Sequence, residues 1–139
     1  MSVPIARTFP FARVLLSGIF LVGGLDAARH PNNDVAQAGT VIEPLSRKLP
    51  FLAATIATVV RLNGLLQLGA GIGLATGTRP RAAALTLGAS LVPTTLAGHR
   101  FWDQSNPDKR SSELVGFVAN AGPLGGLLLA AAIRQEDGS

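Results

Sequence analysis

The chain has 139 residues, of which 47% are hydrophobic and only 14% charged, where a soluble domain carries roughly 25% charged residues. With a mean hydropathy of +0.38, it reads as one membrane-embedded domain over residues 1–139, and the absence of cysteine excludes disulfides, thiolate metal sites and thiol nucleophiles within this polypeptide. The net charge of +4 comes from Lys and Arg scattered between apolar blocks, so nucleic acid is not an expected partner.

No Gly-rich phosphate loop, metal-spaced His pair or GxSxG turn is present, so no enzyme, metal or cofactor is indicated by motif. The first apolar block runs from Phe11 to Ala28, and as a helix it spans roughly 27 Å, close to the hydrocarbon thickness of a bilayer. Arg7 and Arg13 ahead of it, with "LDAA" near its end, also resemble a cleavable signal peptide. Residues 29–50, containing "HPNND" and "EPLSRKLP", read as an aqueous loop with or without a short interfacial piece.

The second block, Phe51 to Gly77, would reach about 40 Å as one helix, so it must tilt, kink or project from the hydrocarbon. "GTRPR" makes a short turn to the third block, Ala82 to Ala97, where Pro93 precedes two threonines; a kinked helix is expected, with hydroxyls serving the freed backbone groups. "GHRFWDQSNPDKRSSE" places His99, Phe101 and Trp102 at headgroup level, as an aromatic belt would be. The fourth block, Leu114 to Ile133, spans. The expectation is an all-α, integral membrane four-helix bundle.

Four spans put both termini and the 78–81 turn on one side, with five Lys and Arg against six on the other. The positive-inside rule barely separates the two arrangements. Termini in the cytoplasm are favoured, because the first side concentrates its positive charges in short segments.

In and around "VVRLNGLLQLG", residues 59–69, Asn63, Gln67 and Gly71 share one helix face with Gly64, Ala57 and Ala53 adjoining, and Arg61 lies at its margin. Leu62, Leu65 and Leu66 occupy the opposite face, together with Gly69. Small residues beside amides are what a membrane helix turns toward its neighbours. Asn63 and Gln67 therefore read either as interhelical hydrogen-bonding groups or as ligand contacts. With the hydrocarbon beginning near Leu52, Arg61 lies roughly 14 Å deep, near the midplane, where an ionisable group is a candidate for function. Its structural alternative is a cation held by helix carbonyls or by Asp26, the one acid inside an expected span.

Asp26 itself has Arg29 and His30 three and four residues on, a spacing for a local ion pair. His99 reads as a proton relay or as an interfacial anchor beside Phe101 and Trp102. Asn120, near Gly122 and Pro123, reads as a backbone cap or an interhelical partner. Arg61, Asn63, Gln67, Asp26, His99 and Asn120 are thus the candidate substrate- or quinone-binding residues, and no catalytic residue is assigned.

The sequence resembles the DoxX family of small four-helix membrane proteins, its actinobacterial branch in particular. The resemblance rests on "ARVLLSGIFLVGGLD", "VRLNGLLQLGAGIGLATGTRPRAAAL", "GHRFW" and "NAGPLGGLLLAA" in that order. Against the family pattern, Gly77 and Arg81 match, Gln67 stands where glutamate is common, and Asp26 stands where lysine is common. These two departures remove charges that proton- or anion-coupled chemistry would use. The resemblance implies the role of a partner, since some relatives look like membrane subunits of thiosulfate:quinone oxidoreductase and mycobacterial relatives are linked to a complex with superoxide dismutase and a sulfurtransferase.

The leading expectation is an accessory protein of the cell membrane that scaffolds soluble redox or thiol-stress enzymes. Beside it stand a subunit that docks quinone against Arg61 and Gln67, and a small transporter or channel. Expected partners are the lipid bilayer, soluble redox enzymes and a second copy of the chain.

Overall fold

The computed structural model describes residues 5–50 and 56–133. Its elements are α1 (Ile5–Arg29), α2 (Val35–Ser46), α3 (Ile56–Thr76), α4 (Pro80–Gly98) and α5 (Pro107–Ala132), with 3-10 turns at Pro31–Asp34 and Phe101–Asp103. The protein is all-α, as expected, with no strand among the described residues. Residues 51–55, including Ala53 and the start of the expected second block, lie outside the described residues.

Among the described residues, three helices are long and apolar enough to cross a membrane: α1 from Pro10, α3 and α5. The 19 residues of α4 reach about 28 Å. α4 packs between α3 and α5 and supplies the buried residues Ala83, Ala84, Leu87, Ser90, Leu91 and Thr95. It is the interior helix of the bundle. It runs unbroken through Pro93, and Thr94 Oγ1 donates to the carbonyls of Ser90 (2.9 Å) and Leu91 (3.0 Å), satisfying backbone acceptors beside the proline.

Two segments differ from the sequence expectation. Residues 29–50 are not a loop, because after the turn at Pro31–Asp34 the chain forms the 12-residue α2. Its Val35, Ala38, Gly39, Ile42 and Ser46 are at least half-buried while Ala36, Gln37, Thr40 and Glu43 are exposed, which is a helical period. The breakers do not interrupt it: Pro31 opens the preceding turn, and Pro44 falls in the last turn. α2 adds a fifth helix to the expected four. About 18 Å long, it is too short to span and packs against α3 and α4.

The second difference is α5, which begins at Pro107 and not near Leu114. Asn106 Oδ1 accepts from the backbone N–H groups of Asp108 (2.9 Å) and Lys109 (3.2 Å), with Pro107 at the first helical position and Asp108 in the first turn. Cap, proline and acid together satisfy and complement the helix N-terminus.

The hydrophobic core of Phe20, Leu74, Ala83, Ala84, Leu87, Leu91, Leu127 and Ala131 lies mainly toward the end of the bundle that holds the α3–α4 turn. That turn takes a left-handed glycine, Gly77, with φ +78°. Besides the conformation, its missing side chain makes room, since a Cβ would stand 2.9 Å from Nη2 of Arg13 on α1.

α1 and α3 pack by backbone approach. A Cβ on Gly64 would lie 2.7 Å from the Gly24 carbonyl oxygen and from the Ala28 nitrogen, and a Cβ on Gly24 would lie 2.7 Å from the Gly64 oxygen. In lipid, where apolar burial supplies no drive between helices, such close van der Waals contact takes its place. On the other side of α3, Leu62, Leu65 and Leu66 are exposed at 60%, 52% and 49%, and Gly69 meets nothing within 4 Å. The expected division of this helix into a protein face and a lipid face holds. Gly64→Ala should therefore lower the thermal midpoint in detergent by the equivalent of about 1–3 kcal/mol, while Leu65→Ala stays within about 0.5 kcal/mol. Equal losses would place α3 in the wrong rotation.

Candidate functional site

Next to the core, on the side of α2, residues of α1, α2, α3, α4 and α5 line a cavity of about 380 Å3. Its walls are apolar, from Phe20 on α1, Val41 and Ile42 on α2, Val59 and Val60 on α3 and Leu91 on α4. α2 forms one wall, so the segment expected to be a loop is what encloses the space. The polar residues lining it are Asp34, Gln37, Asn63, Gln67, Thr94 and Asn120.

Asn63 and Gln67 are spaced i, i+4 on α3 and face Ser90 of α4. Gln67 Nε2 donates to Ser90 Oγ (2.9 Å), and Ser90 Oγ donates to Asn63 Oδ1 (2.8 Å). This directional relay ties two helices through a hydroxyl only 5% exposed. Asn120 on α5 donates from Nδ2 to Thr95 Oγ1 of α4 at 3.1 Å. Each of these amides bonds a neighbouring helix and also lines the cavity.

The relay uses only half of each α3 amide. Among the described residues Asn63 Nδ2, Gln67 Oε1 and Asn120 Oδ1 have no hydrogen-bond partner, leaving one NH2 group and two carbonyl oxygens for a ligand. Such a cavity, apolar with a few convergent polar groups, has the character of a small-molecule site.

Three residues named from sequence lie elsewhere. Arg61 is exposed and does not line the cavity. No ion pair joins it to Asp26 among the described residues. Asp26 is itself exposed, outside the cavity and unpaired with Arg29 or His30.

His99 closes α4, and its Nδ1 lies 3.0 Å from Glu113 Oε2 of α5 with both side chains 34% exposed. Room for the imidazole comes from Gly116, where a Cβ would come within 2.5 Å of the ring. Beside it Phe101, Trp102 and Phe117 form an edge-to-face cluster with centroid separations of 5.1–6.2 Å, as an interfacial aromatic anchor requires. Arg100 pairs with Asp103 in the same segment.

The sequence reading missed Ser90, Asp34 and Gln37, and gave the two threonines at 94 and 95 a backbone role alone. Ser90 and Thr94 were detectable as hydroxyls at i, i+4 in the third block, whereas Asp34 and Gln37 were hidden by reading their segment as a loop. No group of three His, Cys, Asp or Glu residues that could hold a metal ion exists among the described residues.

In comparisons with known proteins, the DoxX family model matches residues 9–100. No curated protein and no solved structure matches the chain. The matched region contains α2, α3, α4 and most of α1, and therefore every cavity residue named above except Asn120.

Replacing Ser90 by Ala removes both relay bonds at once. Membrane interhelical bonds average about 0.6 kcal/mol each, so Ser90→Ala should cost about 1 kcal/mol. In a double-mutant cycle Ser90→Ala should couple to Asn63→Ala by about 0.6 kcal/mol and to Leu66→Ala by less than about 0.3 kcal/mol. Absence of coupling to position 63 in thermal denaturation would show the relay is not formed in the folded protein.

Proposed function

Because the chain belongs to the DoxX family, we propose that this multi-pass membrane protein is a non-catalytic subunit of a redox assembly, scaffolding soluble enzymes that handle oxidants, thiols or sulfur compounds. The supporting observation is the chemistry of the cavity: its polar groups are amides, a hydroxyl and a single carboxylate. Amides do not exchange protons near neutral pH, and a hydroxyl without an adjacent base is a weak nucleophile. In this reading the reaction takes place in a partner and the membrane subunit places that partner at the bilayer.

The cavity itself favours a second reading, in which the subunit also docks a quinone. Its volume of about 380 Å3 falls within the roughly 300–1,000 Å3 of small-molecule sites. Asn63 Nδ2 is the donor suited to a quinone carbonyl. Arg61, expected from sequence to stabilise a quinol anion, lies outside the cavity and has no part in this version.

Capture of the full chain in mild detergent should retain a soluble oxidoreductase, and quinone reduction should appear in the captured assembly but not in the chain alone. Capture of no enzyme would remove the scaffold. Turnover by the chain alone would overturn the non-catalytic assignment.

We place the protein in the cell membrane with both termini on the cytoplasmic face. Single cysteines at Asn32 and Gln104 should then react with an impermeant maleimide in intact cells, and one at Thr78 only after permeabilisation. Labelling of positions 32 and 78 from the same side would refute the alternating arrangement.

A further inference from the structure

Among the described residues that line the cavity, Asp34 is the only charged one. It is half-buried at the start of α2 and makes no side-chain capping bond, ion pair or other hydrogen bond among the described residues. The nearest basic residues in sequence, Arg29 and His30, are exposed and do not line the cavity; neither does Arg61. Deeper in, Gln67 Oε1 and Asn120 Oδ1 are the negative ends of amide dipoles left without partners.

We propose that the cavity is a binding site for lipophilic cations, amine or onium compounds with apolar substituents, with Asp34 as their counter-charge. The apolar walls accept the substituents. The carboxylate, flanked by low-dielectric walls, focuses a negative potential into the space, and the free carbonyl oxygens extend that potential inward. Lipophilic anions of the same shape meet the same walls with the opposite electrostatic sign and are rejected.

This selectivity runs against the net charge of the protein, which is +4. At physiological salt, exposed charges are screened beyond about 8 Å, so a preference for cations reports the cavity and not the surface. It is independent of any partner enzyme, because it is a property of the isolated chain.

Tetraphenylphosphonium and tetraphenylborate are nearly isosteric ions of opposite charge. Equilibrium dialysis of each against the purified full chain in neutral detergent at physiological salt, corrected for empty micelles, measures the preference directly. The phosphonium should bind at least about tenfold more tightly, equivalent to ~1.4 kcal/mol. Asp34→Asn should bring the two ions within about twofold of each other. Ala38→Phe, which fills the cavity from the α2 wall, should abolish phosphonium binding with unchanged helicity. Equal affinities or an anion preference in the unmodified chain overturn the proposal, as does an unaltered preference in Asp34→Asn. Cation binding that survives in Ala38→Phe places the ion elsewhere and overturns the site. The comparison of the two ions needs no variant, and its failure leaves the scaffolding role standing, since that role rests on enzyme capture.

Discussion

Two backbones pressed together at Gly24 and Gly64 fix the rotation of α3, and the functional end of the bundle follows from that rotation. With no room for a Cβ on either glycine, the Gly64 face of α3 must lie on α1. At about 100° per residue, Gln67 and Asn63 then point about 60° and 100° to one side of the α1 contact, toward Ser90 on α4. Arg61 points about 60° to the other side, toward the exposed face shared with Leu65 and Ile72. The same contact that brings the amides inward turns the arginine out.

The two ends of the bundle are built on different principles. Toward the α3–α4 turn, Leu74, Leu87 and Leu127 are fully buried and interlock. At the other end the helices border a cavity, and hydrogen bonds tie α4 to α3 and to α5 beside it. α2 makes this arrangement tenable: its apolar side supplies a wall, and its exposed Thr40 and Glu43 are turned away from that wall. A loop of the same length would bring unpaired backbone groups to the cavity, which is costly away from water.

How far the sequence discloses this is clearest on α3 and on residues 29–50. Helical angles alone separate Asn63, Gln67, Gly64 and Gly71 from the exposed leucines, because one helix in lipid has only two kinds of neighbour. They do not say where on the protein face the next helix sits, so for Arg61, at the margin of that face, they leave open the exposed orientation that the structure shows. The failure at 29–50 has another cause. The prolines and asparagines of "HPNND" and "EPLSRKLP" outweighed a short period of Val35, Ala38, Gly39 and Ile42, and their positions near or beyond the ends of α2 became visible only with the fold. The start of α5 was legible in "NPDK", since Asn106, Pro107 and Asp108 are a cap, a first-turn proline and a first-turn acid, but the apolar block drew the boundary inward to Leu114.

The amide at position 67 also becomes intelligible. An ionised carboxylate at this position would only accept hydrogen bonds. Here Gln67 donates to Ser90, and Ser90 spends its one proton on Asn63. A carboxylate at 67 would compete with Asn63 for that proton and leave one of the two acceptors without it. The relay and the amide therefore belong together. The charge absent from the depth of the cavity stands instead at Asp34, where the chain has just left α1 and a carboxylate at the start of α2 is favoured by that helix's dipole. Uncharged groups deep in the bundle and a single anion near its end give a cavity that orders ligands by charge without burying an ion in its floor.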